Sequence, residues 1–353
     1  MIHLKTVKRP VLACSLLTLT VNLHAVYNVS TIPISPEGQF TANNGTIHYW
    51  TASGGYSTYD TASGTTNPIG LPPGGTLSNG FGDAFGVYDS SNNLFYAASL
   101  YGFSDSDVYT YNGSGGSWQT PGPEGVTMIN AYGGQVSSGQ LYVSGLAEPW
   151  NGTTGQSNFV FAFDHLAIPG GDPARHDTLI ETAGNSAHLA IAPNGDFYYG
   201  TFTTNTLYRW TASQVASVVN DLYADEEDTF LTLGDAAETW ALPGGGNGLA
   251  VDAGGNVFFA VNDFSGTNDL HTLGWLDTET GTYETIVSSN NFTEFYGAIS
   301  VDGDFSQGDP LYFTPSPGGD ILEVTIVPEP AIYALLFSGF ALLFACRRSG
   351  RLD

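Results

Sequence analysis

The 353-residue sequence is almost without cysteine and almost without positive charge. Its two cysteines, Cys14 and Cys346, fall in apolar runs near the two ends of the chain. Residues 26–327 hold none, which excludes disulfides, thiolate catalysis and cysteine-ligated zinc there. Packing and hydrogen bonds have to hold that region together. Its only Lys or Arg residues are Arg175 and Arg209, against 32 Asp and Glu, so it carries near 30 net negative charges. Nucleic acid and anionic lipid are poor partners for such a surface. Divalent cations and neutral glycans are compatible with it, and the charge also reads simply as solubility in saline water. Helical periodicity is nearly absent too. So are catalytic signatures: there is no GxSxG, P-loop, HExxH or CxxC.

What is there is most distinctive at the C-terminus. Val327-Pro328-Glu329-Pro330 lead into residues 331–346, almost all apolar and uncharged, and Arg347-Arg348-Ser349-Gly350-Arg351 follow. A helix over 331–346 is about 24 Å long, somewhat short of the roughly 30 Å hydrocarbon core. Bilayer thinning and snorkelling arginines cover that difference. Prolines at the helix mouth cost little, because first-turn N–H groups lack partners anyway. The arginines should stay cytoplasmic. The competing reading is a short buried core helix.

The order Val-Pro-Glu-Pro, apolar helix, Arg-Arg resembles the PEP-CTERM sorting signal over residues 327–351. The resemblance implies that an exosortase, a membrane transpeptidase, recognises Pro328-Glu329-Pro330 and detaches the protein from its helix during export. It also implies a surface or matrix protein of a Gram-negative bacterium that makes exopolysaccharide. The apolar part is richer in Phe than the usual Leu/Gly pattern.

The N-terminus agrees. Lys5, Lys8 and Arg9 precede an apolar run over 11–21, and Leu23-His24-Ala25 close it. This predicts a secretory signal peptide over 1–25, cleaved after Ala25. A lipoprotein reading on Cys14 fits less well, because the apolar run lies mostly after that residue. The expected division is signal peptide 1–25, body 26–326 outside, and sorting signal 327–353 with its transmembrane helix 331–346 and basic tail inside.

The body repeats. Ser35-Pro-Glu-Gly-Gln-Phe40, followed by Thr46-Ile-His-Tyr-Trp-Thr-Ala-Ser53, matches Ala192-Pro-Asn-Gly-Asp-Phe197, followed by Thr206-Leu-Tyr-Arg-Trp-Thr-Ala-Ser213. Further copies run over 87–96, 136–143, 251–259 and 299–313. Each is an apolar strand, a Gly/Asn/Asp turn and a strand of β-branched and aromatic residues. The strands after the turns centre on Phe40, Leu94, Leu141, Phe197, Val257 and Leu311, at intervals of 47 to 60 residues. That period fits a four-stranded propeller blade. Six copies predict an all-β, six-bladed β-propeller, with five or seven blades as alternatives. The last copy lacks a fourth strand, which residues 26–30 are placed to supply. Residues 212–222 read as one short helix with Ser213 as N-cap. The Gly-rich segments 64–80, 113–125 and 244–248 read as loops.

Residues 248–259 look like the blade pattern of NHL-type and gluconolactonase-like propellers. In the latter, channel carboxylates and asparagines hold a divalent ion that acts as a Lewis acid. The resemblance points to His188, Asn247 and Glu294, each placed before or at an innermost strand, though no full ligand set matches residue by residue. This gives two readings: a propeller that binds or scaffolds extracellular polymer, and a metal-dependent hydrolase or lactonase. Elsewhere, Asp302, Asp304 and Asp309 alternate oxygens as a Ca²⁺ loop does, but Gly308 and Phe313 break the EF-hand pattern, and a long hairpin turn is the other reading. Ser104-Asp-Ser-Asp107 is a weaker version. Residues 224–228 read as a solvated acidic loop. The remaining body histidines are His48, His165, His176 and His271. Strand aromatics are expected between blades, whereas Tyr101, Trp118 and Trp150 read as loop aromatics able to stack on sugar rings.

Overall fold

The computed structural model describes residues 26–327 except 52–54, 73–84, 99–104, 120–126, 147–157, 165–176, 183–187, 201–204, 222–229, 264–269, 290–296 and 316–318. The expected signal peptide, the Pro328-Glu329-Pro330 motif, the apolar run and Arg347-Arg348 therefore lie outside the described residues. Among the described residues no helix is long and apolar enough to cross a membrane.

The body is a six-bladed β-propeller. Blade 1 runs from its innermost strand Thr41–Asn43 through Thr46–Thr51 and Gly55–Asp60 to Thr65–Gly70. The innermost strands of blades 2 to 6 are Phe85–Asp89, Thr127–Ser137, Leu189–Ile191, Gly245–Val251 and Ile299–Val301. Each pairs antiparallel with the strand that follows it. Blade 6 takes its fourth strand from the front of the chain: Val26–Ile32 lies beside Ile321–Val327. Val327, the first residue of the expected sorting signal, is the last residue of that strand.

The core is divided among the six seams between blades. One buried cluster fills each seam, for example Val87, Tyr96, Leu141 and Phe163 between blades 2 and 3, and Phe258, Leu273, Leu311 and Val324 between blades 5 and 6. Strand periodicity explains this. Successive side chains point to opposite faces, so Tyr198 packs toward blade 5 while Phe197 and Tyr199 pack toward blade 3. The aromatic runs of the second strands thus supply both seams of their blade, as expected.

Several expectations need correction. Phe40 precedes the innermost strand of blade 1, and residues 46–51 are that blade's second strand. Its sequence match, 206–210, is the third strand of blade 4. The repeat was matched one strand out of phase because Trp50 and Trp210 are alike, both fully buried in strands. The Gly-rich segments are not wholly loops either, since Thr65–Gly70, Ser117–Gln119 and Gly245–Val251 are strands. The Gly244–Gly248 cluster belongs to an inner strand because blades converge there. A Cβ on Gly248 would sit 1.9 Å from the carbonyl oxygen of Gly297. The helix α1 spans Ala212–Asp221, but its cap is Thr211 and not Ser213. Thr211 Oγ1 accepts from Gln214 N at 3.3 Å, and Gln214 Oε1 accepts from Thr211 N at 2.9 Å, a reciprocal box.

Blades 2 and 3 share one nine-stranded sheet. Residues 127–129 of the long inner strand of blade 3 pair with 105–107 in blade 2, before a register break hands the strand to its own blade.

Candidate functional site

The innermost strands enclose a channel of about 180 Å³, bordered by residues from all six blades, among them Thr41, Tyr88, Gln135, Leu189, Leu249 and Ser300. Its polar side chains are engaged in joining blades. Gln39 Nε2 donates to Gly134 O at 2.8 Å while Gly134 N donates to Gln39 Oε1 at 2.7 Å. Gln135 makes the same two-way pairing with the backbone of Ile191, at 3.3 and 2.8 Å. Ala42 N donates to Ser300 Oγ at 2.8 Å, and Tyr88 N to Thr41 Oγ1 at 3.2 Å. A primary amide offers one donor and one acceptor side by side, so it reproduces a strand partner where two inner strands are too splayed to pair. Sequence reasoning missed Gln39 and Gln135. The signal was the Gly-Gln pair at 38–39 and 134–135, just before the inner strand of blade 1 and within that of blade 3.

At the channel mouth the structure brings two of the three candidates together. His188 N donates to Asn247 O at 3.2 Å, joining blades 4 and 5. The His188 ring is buried beneath Gly133, where a Cβ would lie 3.0 Å from its Cδ2. Among the described residues its Nδ1 has no hydrogen-bond partner, and desolvation lowers its pKa to about 4. A cavity of about 10 Å³ borders His188 and Asn247. That is the size of one water. Glu294 lies outside the described residues.

Asp302, Asp304 and Asp309 act as turn and seam locks. The two oxygens of Asp302 accept from Asn44 N and Gly45 N of blade 1, at 2.7 and 2.6 Å. Asp304 caps the short 3-10 turn Phe305–Gln307 by accepting from Ser306 N at 3.0 Å. Asp309 Oδ2 accepts from Asp304 N at 2.7 Å. Each carboxylate thus serves a different set of N–H groups, and among the described residues no three acidic or histidine side chains converge as a metal requires. The donor set does not fit a shared Ca²⁺.

The other histidines in view are structural. His48 Nδ1 and the Tyr56 hydroxyl are 2.6 Å apart, and the ring stacks on Tyr88 at 3.6 Å. Burial lowers its pKa to about 4. His271 Nδ1 lies 2.7 Å from Asn262 Oδ1 in a fully buried pair. Trp118 is not a loop aromatic. It sits in strand Ser117–Gln119, donates to Gly70 O at 3.2 Å and packs edge-on to Tyr56 and Tyr111. Tyr101, Trp150, His165, His176 and residues 224–228 lie outside the described residues, as do the side chains of 104–107.

A larger cleft, of about 490 Å³, opens between blades 3 and 4. It exists because blade 4 departs from the repeat. After its third strand the chain turns into α1, then adds Leu231–Thr232 in parallel to Asp177–Thr182, the edge of blade 3, before returning as Glu238–Ala241. Val215 and Val218 of α1 enter the seam cluster with Leu179 and Trp210. Ala212 and Ala216 leave the rim open. Nothing in the repeat pattern marked this cleft, although the helix that builds it was legible.

No protein-family model matches the chain, and no curated protein matches it in sequence. Solved structures do share its shape. A Bacteroides thetaiotaomicron protein of unknown function is similar with a TM-score of 0.52 at 14% identity, covering 86% of this chain and 77% of its own. The luciferin-regenerating enzyme is similar with a TM-score of 0.52 at 12% identity, covering 85% of this chain and 95% of its own. The calcium-binding protein regucalcin from Agrobacterium tumefaciens matches at 0.48 and 14%, over 84% of this chain and 91% of its own. At such identities the first two likenesses are of fold, and the fold they share with this chain is the propeller.

Proposed function

We propose that this chain is an exported propeller that binds or scaffolds extracellular polymer, addressed by its PEP-CTERM-like terminus and handled there by an exosortase-type enzyme. Its path would run through an intermediate held in the inner membrane by 331–346, then to the cell surface or matrix, with exopolysaccharide as the partner. The observation that supports binding over channel chemistry is the use of Gln39, Gln135 and Ser300. These three residues of the channel lining spend their polar atoms on holding blades together.

The test of address is a triple variant with alanine at Pro328, Glu329 and Pro330. Intact precursor should accumulate in the inner membrane of an exosortase-bearing host, with less protein at the surface. Release equal to wild type would reduce the terminus to a plain anchor.

A second reading, a metal-dependent hydrolase or lactonase, is favoured by one observation: the buried, unpartnered Nδ1 of His188 beside Asn247. These two residues are fewer donors than a Lewis-acid metal takes, so no step is derived through a metal. A stoichiometric divalent ion retained by purified protein, and lost in His188→Ala, would favour it.

A further inference from the structure

We propose that the cleft between blades 3 and 4 is a subsite for an uncharged saccharide segment. This rests on the polymer-binding reading and gives it a location and a ligand class. The volume, about 490 Å³, lies within the usual span of small-molecule sites. The chemistry of its walls selects the ligand. One wall is the hairpin turn of blade 3, with Ser137, Ser138 and Gln140, and the facing turn of blade 4 adds Asn194, whose amide is fixed by Asp196 on both atoms and keeps a second proton and a second lone pair. These are neutral hydroxyls and amides, the groups that pair with sugar hydroxyls in both directions. The opposite wall is apolar, from Pro193 and the Ala212, Val215, Ala216 and Val219 stripe of α1. A sugar ring has such a pair of sides, hydroxyls at its edge and C–H groups on its face.

Charge narrows the class further. Among the described residues no Asp, Glu, Lys, Arg or His lines the cleft. An anionic polymer would find no cation among them and would meet a body of near 30 negative charges. An uncharged one meets neither obstacle. The spacing of α1 sets the depth. Ala212, Val215, Ala216 and Val219 fall at i, i+3, i+4 and i+7, one helix face, and the two alanines keep it low where a larger residue would fill the space.

The test is affinity electrophoresis of the purified protein in gels holding neutral polysaccharides (β-glucan, galactomannan, amylopectin) or alginate. At least one neutral gel should retard wild type, and alginate should not. Ala216→Trp, at an exposed helix position, should reduce the apparent affinity at least tenfold with an unchanged melting temperature. Ser138→Gly removes a hydroxyl at a residue whose φ is +50°. It should weaken binding several-fold while stability holds or rises, a split that a merely structural residue would not produce. Equal retardation of wild type and Ala216→Trp would overturn the cleft and leave polymer binding standing elsewhere on the body, as would retardation by alginate alone. Retardation in no gel would overturn both.

Discussion

The seam between blades 5 and 6 and the seam between blades 3 and 4 use the same hairpin turn in opposite ways. At the first, Asp252 is 2% exposed and accepts from Asn256 N, Asn256 Nδ2 and, across the seam, Phe305 N. Ala253 N adds a bond to Gly303 O at 2.9 Å. Asp302 then carries the same locking on to blade 1. At the second seam the turn residues that line the cleft are Ser137, Ser138 and Asn194, and α1 spans the gap they leave. Acidic side chains in this protein are therefore not only surface charge. At the seams of blade 6 with blades 5 and 1, a carboxylate takes the N–H groups of the neighbour. Where a cleft is kept, the turn residues at its edge are neutral, and the carboxylate of the blade 4 turn, Asp196, is taken up by Ala212 N and Arg209.

If that contrast is right, Asp252→Ala should be the most damaging single change. It leaves N–H groups of both blades unpaired in a buried place, and a loss of about 3–5 kcal/mol is expected from urea unfolding. A loss below about 1 kcal/mol would mean the lock is ornamental.

Acid should come next. His48 and His188 have folded pKa values lowered to about 4 by burial, against about 6.5 unfolded. The unfolded chain binds the extra protons, so stability is full above about pH 6.5 and falls as pH drops toward 4. The loss is on the order of 3 kcal/mol for each. Denaturation midpoints in that window should flatten in a His48→Gln, His188→Gln double variant. Turn aspartates act at lower pH. Hydrogen bonds from Ser63 hold Asp60 below its usual range, and those from Thr280 do the same for Asp277, so their contribution is lost as pH falls through those lowered values.

Asp302→Ala should cost less than Asp252→Ala, about 1–2 kcal/mol, because the turn it holds is partly exposed and water can replace the carboxylate. At the other seam Ser138→Gly should change stability by no more than about 1 kcal/mol, and upward, since glycine is at ease in the left-handed region. Reversal of that order in melting temperature would erase the distinction between locked and open seams.

How much of this the sequence carried depends on range. The alternation of Phe197, Tyr198 and Tyr199 and the turn before them are local, and they were enough for strands, blade count and the closing strand. The phase of blade 1 was not local. Residues 46–51 and 206–210 share chemistry while occupying different strands, and only the neighbours in space tell them apart. Asp302 and Asp304 left two readings open for a related reason: alternating oxygens look alike in a cation loop and a hairpin turn until the N–H groups they face are known. Gly248 read as a turn because the residue it nearly touches, Gly297, is 49 positions away.

The closure of blade 6 has a consequence in time. Its sheet unites Val26–Ile32 with Ile299–Val327, so the earliest strand of the body waits for the latest. A chain delivered from its N-terminus can stack blades as they emerge, yet it carries an unsatisfied strand until about 290 further residues have followed. Pairing over such a separation is slow, and an idle strand is adhesive toward other chains. Polar residues soften that interval, since Tyr27, Asn28, Ser30 and Thr31 interrupt the segment's apolar positions. Completion of the ring would then report that the whole body has emerged, and a chain halted part-way would be left open and vulnerable to proteolysis.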